Sequence, residues 1–155
     1  MWRNSRWVAL LLVSIVSLSV AAQNPPADRR PGRTSVAIRS VLDAQSQAWN
    51  RGDIEGYMDG YARSPDIVFV SGGDVTRGWQ PVLDRYKKRY DTRDKMGTLT
   101  FSDLEITPIG NDAALVVGRW HLQRASDEPH GRFTLLFRKT KQGWKIVHDH
   151  SSSAS

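Results

Sequence analysis

From Gly97 onward this chain contains runs that suit only extended backbone. Residues 99–109, 113–124, 132–140 and 144–151 are rich in β-branched and aromatic side chains, and short polar turns part them: Gly110-Asn111-Asp112, residues 126–131 (SDEPHG) and Lys141-Gln142-Gly143. A parallel crossover needs a dozen or more residues, so connections this short join antiparallel neighbours. A four-strand meander is predicted, and one of its faces must be covered by what comes before it.

What comes before it is mostly helical. Thr34 or Ser35 can cap a helix to about Asn50, because Ile38, Val41, Leu42, Gln45, Ala48 and Trp49 recur at helical spacing and Gly52 supplies a stop. Asp53 caps a second, short helix with an apolar face of Ile54, Tyr57, Met58 and Tyr61, weakened by Gly56 and Gly60. Residues 67–71 read as a strand ending in Gly72-Gly73, a hairpin signal, with residues 75–77 as the return. A third helix opens at Gly78-Trp79-Gln80-Pro81 and buries Val82, Leu83, Tyr86 and Tyr90. The expected class is α+β, three N-terminal helices on one face of a curved antiparallel sheet.

That order, with the stretches GDIEGYMDGYARSPDIVFVSGG, TRGWQPVLDRY, IGNDAALVVGRWHL and GRFTLLFRKTKQGWKIVHDHSS, resembles the NTF2-like (cystatin-like) superfamily. Within it the chain is similar to SnoaL-like bacterial proteins and to the association (hub) domain of calcium/calmodulin-dependent kinase II. The hub has a similar turn to Ile109–Ala114 here, and a similar last strand to Trp144, Val147, His148, His150 and Ser152. The resemblance spans residues 34–153. It implies a cone in which a bent sheet wraps three helices around a pocket, usually in a homodimer built through the sheet. The same cone serves isomerases, cyclases, dehydratases, transport factors and oligomerisation hubs, so fold alone does not choose a function.

The first 22 residues have the layout of a secretory signal peptide: Arg3 and Arg6, an apolar run from Trp7, then small residues up to Ala22. Residues 7–22 fall short of the roughly 20 a spanning helix needs, which favours a cleaved leader over an anchor. Residues 23–34 (QNPPADRRPGRT) read as a disordered linker, and residues 35–153 as one domain. A secreted or periplasmic location is expected, with no membrane contact after cleavage. Without cysteine the core must supply the stability alone. The formal charge of +6 falls to +4 without Arg3 and Arg6, and the basic run Arg85-Tyr86-Lys87-Lys88-Arg89 lies within a helical pattern, as a solvated face does. No nucleic-acid partner is expected.

Two of the four histidines sit in WKIVHDHS near the end of the chain. Strand alternation places Trp144, Ile146, His148 and His150 on one face, and Asp149 on the other with Lys145, Val147 and Ser151. A His-x-His pair has metal spacing but needs further ligands, and His121 and His130 would have to converge on it, so no metal and no cofactor are expected. Isomerases of the superfamily carry a carboxylate base on the first hairpin. Here that hairpin offers Phe69, Val70 and Ser71, with its only carboxylate, Asp74, beyond the glycine turn. An imidazole already titrates near neutral pH, so His150 or His148 is the expected base, with Tyr57 or Tyr61 as donor.

Arg119 and His121 share one face of their strand, and Gly118, Trp120 and Leu122 the other. An arginine inside the cone would be a fork for a carboxylate; on the outer face it would meet solvent or a partner. Trp49, Tyr57, Tyr61, Phe69, Trp79, Tyr86 and Trp120 can line a pocket for a flat apolar molecule or fill the core. The functional expectation is an exported small-molecule-binding homodimer with cofactor-free acid/base chemistry of isomerase, cyclase or dehydratase type. The alternative is a non-catalytic association module.

Overall fold

The computed structural model describes residues 32–154; the expected signal peptide and nearly all of the expected linker lie outside the described residues. Helix α1 (Arg33–Asn50) buries Ile38, Leu42, Gln45, Ala48 and Trp49 along one stripe. It begins within the stretch read as linker: Gly32 is the N-cap residue and makes no side-chain bond, so neither Thr34 nor Ser35 caps it. Its other end is tied down. Arg93 donates to the carbonyls of Trp49 and Asn50, both at 2.9 Å, and these are among the groups a helix end leaves without partners. The Asn50 amide binds Leu99 both ways, accepting from its N–H at 2.7 Å and donating to its carbonyl at 3.0 Å.

Helix α2 (Ile54–Met58) starts as expected at Asp53, whose carboxylate accepts the Gly56 N–H at 2.7 Å. That bond, helped by Arg51, holds the Asp53 carboxyl below its usual pKa. Then come β1 (Val68–Ser71), β2 (Asp74–Arg77) and α3 (Trp79–Arg89). A one-turn helix, α4 (Arg93–Met96), joins the three expected; the Thr92 hydroxyl caps it by accepting from Lys95 N–H.

The meander follows as β3 (Thr98–Ile109), β4 (Ala113–Gln123), β5 (His130–Thr140) and β6 (Gly143–Ser151), antiparallel throughout. The curved, open six-stranded sheet has the order β2-β1-β6-β5-β4-β3. The β1–β2 hairpin joins the meander through the parallel pairing of β1 with β6. No turn signal announces a pairing between strands so distant in sequence, whereas every antiparallel neighbour is marked by its own short turn.

Two bulges shape the sheet. In β3, Asp103 takes a positive φ of 52° and the register slips between Ser102 and Glu105. In β6, His148 pairs with Leu136 and Ile146 with Phe137, which leaves Val147 as an extra residue without a partner. A one-residue insertion reverses side-chain parity beyond it. β5 runs without interruption, so Phe133, Leu135 and Phe137 all face the helices, and the residues paired to them, Ser151, Asp149 and Ile146, face the same way.

Candidate functional site

The helices do not fill the concave side of the sheet. A cavity remains whose interior, counted as space open to the centre of a water molecule, is about 90 Å³, several times what one water needs. Its walls are mostly aromatic and aliphatic: Tyr57 and Tyr61 from the α2 region, Tyr86 from α3 and Tyr90 from its C-cap, Phe69 from β1, and Phe101, Trp120, Phe133 and Leu135 from the sheet. One carboxylate, Asp149, enters this lining.

Asp149 is only 3% exposed. The Tyr61 hydroxyl donates to its Oδ2 at 2.6 Å and the Ser151 hydroxyl to its Oδ1 at 2.8 Å. Burial raises its pKa to about 6, because the apolar surroundings penalise the anion more than these two hydrogen bonds and nearby His150 stabilise it. Each carboxylate oxygen keeps acceptor capacity beyond the one bond it receives. Asp149 can therefore take a proton from, or return one to, a molecule in the cavity near neutral pH.

The chain path explains how these groups meet. α2 ends at Met58, so Tyr61 does not lie on the helix as its spacing predicts. Instead it forms a parallel bridge with Ile146: Ala62 N–H donates to the Ile146 carbonyl and Ile146 N–H to the Gly60 carbonyl, both at 2.9 Å. One residue further along β6 comes the bulge at Val147, after which β1 takes over the pairing and sets Phe69 opposite Asp149 and Ser71 opposite Ser151. The Tyr57 and Tyr86 hydroxyls approach each other to 3.4 Å beside this group. Burial pushes the pKa of Tyr57, Tyr61 and Tyr86 upward, so all three stay protonated and able to donate at neutral pH.

Of the residues expected to bind a ligand, Tyr57, Tyr61, Phe69, Tyr86 and Trp120 line the cavity. Trp49 does not: it lies behind Tyr57 and Tyr90, with ring centroids at 5.1 and 4.7 Å, and its indole N–H is held by the Met96 carbonyl. Trp79 is held outside, donating to the Met58 carbonyl with the Arg63 guanidinium 4.3 Å from its ring centre. Arg119 and His121 alternate with the inward Gly118, Trp120 and Leu122, so they sit on the outer face. There Arg119 pairs with Arg132 and Ser102 across the strands, and His121 lies 3.5 Å from Glu128.

The expected bases must be corrected too. His148 and His150 lie on the outer face, because the bulge at Val147 breaks the alternation that linked them to Trp144 and Ile146. The same bulge turns Asp149 inward. Periodicity had excluded Asp149 from the histidines' face, rightly, but the face that mattered was its own. No local signal in the sequence marks the extra residue; it follows from uninterrupted β5 pairing with a strand one residue longer.

At the far end, Gly131 leaves space that a side chain would close. The Ser152 carbonyl fills it and accepts the Trp120 indole N–H at 3.0 Å, which brings Ser153 to the cavity.

The same architecture occurs in solved proteins. A structure of an NTF2-like protein of unknown function from Shewanella oneidensis MR-1 is 43% identical, covers 76% of this chain and 97% of its own, and superposes with a TM-score of 0.73. A ketosteroid isomerase-like protein from Erwinia carotovora atroseptica is similar at 19% identity, covering 80% of this chain and 98% of its own, with a TM-score of 0.64. A putative calcium/calmodulin-dependent protein kinase II association domain from Xanthomonas campestris is similar at 18% identity over 76% of this chain and 85% of its own, with a TM-score of 0.61. At that identity the last two speak for the fold alone. No curated protein matches the sequence. The model of the SnoaL-like domain matches residues 38–155, which takes in the cavity and every strand of the sheet; the chain belongs to the SnoaL-like family of the NTF2-like fold.

Proposed function

We propose that this chain is an exported, cofactor-free acid/base enzyme that moves a proton on a small, partly apolar organic molecule, with Asp149 as the base. The observation that carries this reading is a single carboxylate buried in an aromatic cavity, its pKa raised to about 6 and its orientation fixed by Tyr61 and Ser151. A base whose pKa lies near the working pH is effective in both directions of proton transfer. Tyr61 has committed its proton to Asp149, whereas the Tyr57 and Tyr86 hydroxyls can turn towards an oxygen on which negative charge develops. Abstraction of a proton α to a carbonyl, as isomerases and cyclases perform, needs this pairing of base and donors. Export rests on the arrangement of the first 22 residues.

The test is hydrogen exchange. Small aryl ketones incubated in D2O with the purified protein lose their α-proton signal in NMR, and Asp149→Asn does not catalyse the loss. An absence of exchange across a panel of such ketones would remove the proposal.

A second reading, self-association without catalysis, draws on the outer face of the sheet, where Ile109, Leu115 and Val117 are exposed. It supports a homodimer built through the sheet. Light scattering that gives a monomer at micromolar concentration counts against it.

A further inference from the structure

We propose that the cavity takes a flat organic acid whose carboxylate lies at the rim between Arg85 and Arg89 and whose body reaches inward over the tyrosines towards Asp149. This assignment rests on reading the cavity as the reaction site and adds the class of substrate.

Helix α3 presents Arg85 and Arg89 one turn apart, Tyr86 lies beside Arg85 and Tyr90 is the residue that caps the helix end, and all four side chains line the cavity. The two tyrosine rings are stacked, 24° from parallel with centroids 6.0 Å apart. Each guanidinium rests on the aromatic wall: Arg85 lies 5.5 Å from the Phe69 ring centre and Arg89 5.8 Å from that of Tyr90. Such stacking holds the planar groups near the opening with their N–H edges available.

Neither cation is consumed by the fold. The Arg85 pair with Asp74 is long, 3.4 Å, and Asp74 is 74% exposed, so it is worth little. Among the described residues Arg89 makes no ion pair. The cavity is thus polarised, with two guanidinium groups at its solvent edge and one carboxylate at its buried end. A ligand with one anionic group has a single favourable orientation in it. A neutral ligand would leave the arginines to water, and a cationic one would meet them head on. The small cavity volume limits the body to about one or two rings.

The experiment compares matched probes: benzoate, cinnamate and 2-naphthoate against their primary amides, titrated calorimetrically into wild type, Arg85→Gln, Arg89→Gln, the double variant, Asp149→Asn, and Arg77→Gln as a control for general charge. A charge-assisted contact gives the acid an advantage of about tenfold or more. That advantage is expected in wild type, Asp149→Asn and Arg77→Gln, reduced in each single rim variant and absent in the double variant. The single variants decide the matter if the double variant does not fold. Equal binding of acid and amide overturns the anion assignment and leaves the exchange chemistry of Asp149 standing. An advantage lost equally in Arg77→Gln also overturns it. No binding by any probe, together with no α-proton exchange, removes both this assignment and the reading on which it rests.

Discussion

Strand β6 divides at Val147 into halves that obey opposite rules. Before the bulge, Trp144 and Ile146 face the helices at the expected spacing of two; after it, the inward residues are Asp149 and Ser151, and the two histidines face out. The first half is ordinary core and the second half holds the buried carboxylate. One residue without a partner separates a strand that only stabilises from one that can do chemistry.

Inserting one residue between Leu136 and Phe137, so that Val147 gains a partner on β5, is the most severe way to break that contrast. Restored alternation would send His148 and His150 into the aromatic core and Asp149 out of it, and several buried contacts would be lost together. A loss of more than about 4 kcal/mol is expected, measured by urea unfolding. Asp149→Asn spares the fold and should lower α-proton exchange by about a thousandfold, within the usual range for general base catalysis. In the wild type, exchange should rise with pH through about 6 and then level off, as Asp149 ionises.

The same carboxylate makes a stability prediction of definite sign. Its pKa in the folded chain is about 6, against roughly 4 when unfolded. Between those values the native state holds a proton that the unfolded chain releases, so this group's contribution falls as pH rises and stays low above the folded pKa. Asp149→Asn escapes that loss. Relative to wild type it should gain roughly 2 kcal/mol between about pH 4 and 7.5, read from paired urea curves. A constant difference across that range would place the carboxylate in water rather than in the cavity.

Tyr61→Phe sharpens the contrast from within the site. The Tyr61 bond favours the Asp149 anion, so its loss should move the rise in the pH profile to higher pH and cut exchange by about tenfold at neutral pH. The smallest effects belong to the outer face: His148→Ala and His150→Ala should each leave exchange within about twofold and stability within about 0.5 kcal/mol.

The elements that carry local signals were legible. The α1 stripe, the Asp53 cap, the glycine hairpin and the three meander turns follow from spacing and turn chemistry within a few residues of each feature. Tyr57 and Tyr86 were visible as candidates for the same reason, since helical spacing put them on buried stripes. Helical spacing also marks Tyr61, whose actual place is a bridge to β6.

What stayed hidden depended on register between segments far apart in the chain. His148 and His150 stood out because imidazoles titrate near neutral pH in isolation, whereas a carboxylate does so only after burial, which a sequence does not display. Arg85 and Arg89 looked like a solvated helix face, and their guanidinium groups are indeed near solvent, but at the rim of a cavity.

The sequence by itself determined the order of the main elements and the α+β class, because periodicity, caps and short turns act over a few residues, and its motifs carried the resemblance to the family. Only the tertiary structure decided which residues of β6 face the cavity. Alternation fixes the relative parity of neighbours in a regular strand, and one unpaired residue, placed by the pairing of β6 with β5 and β1, resets it.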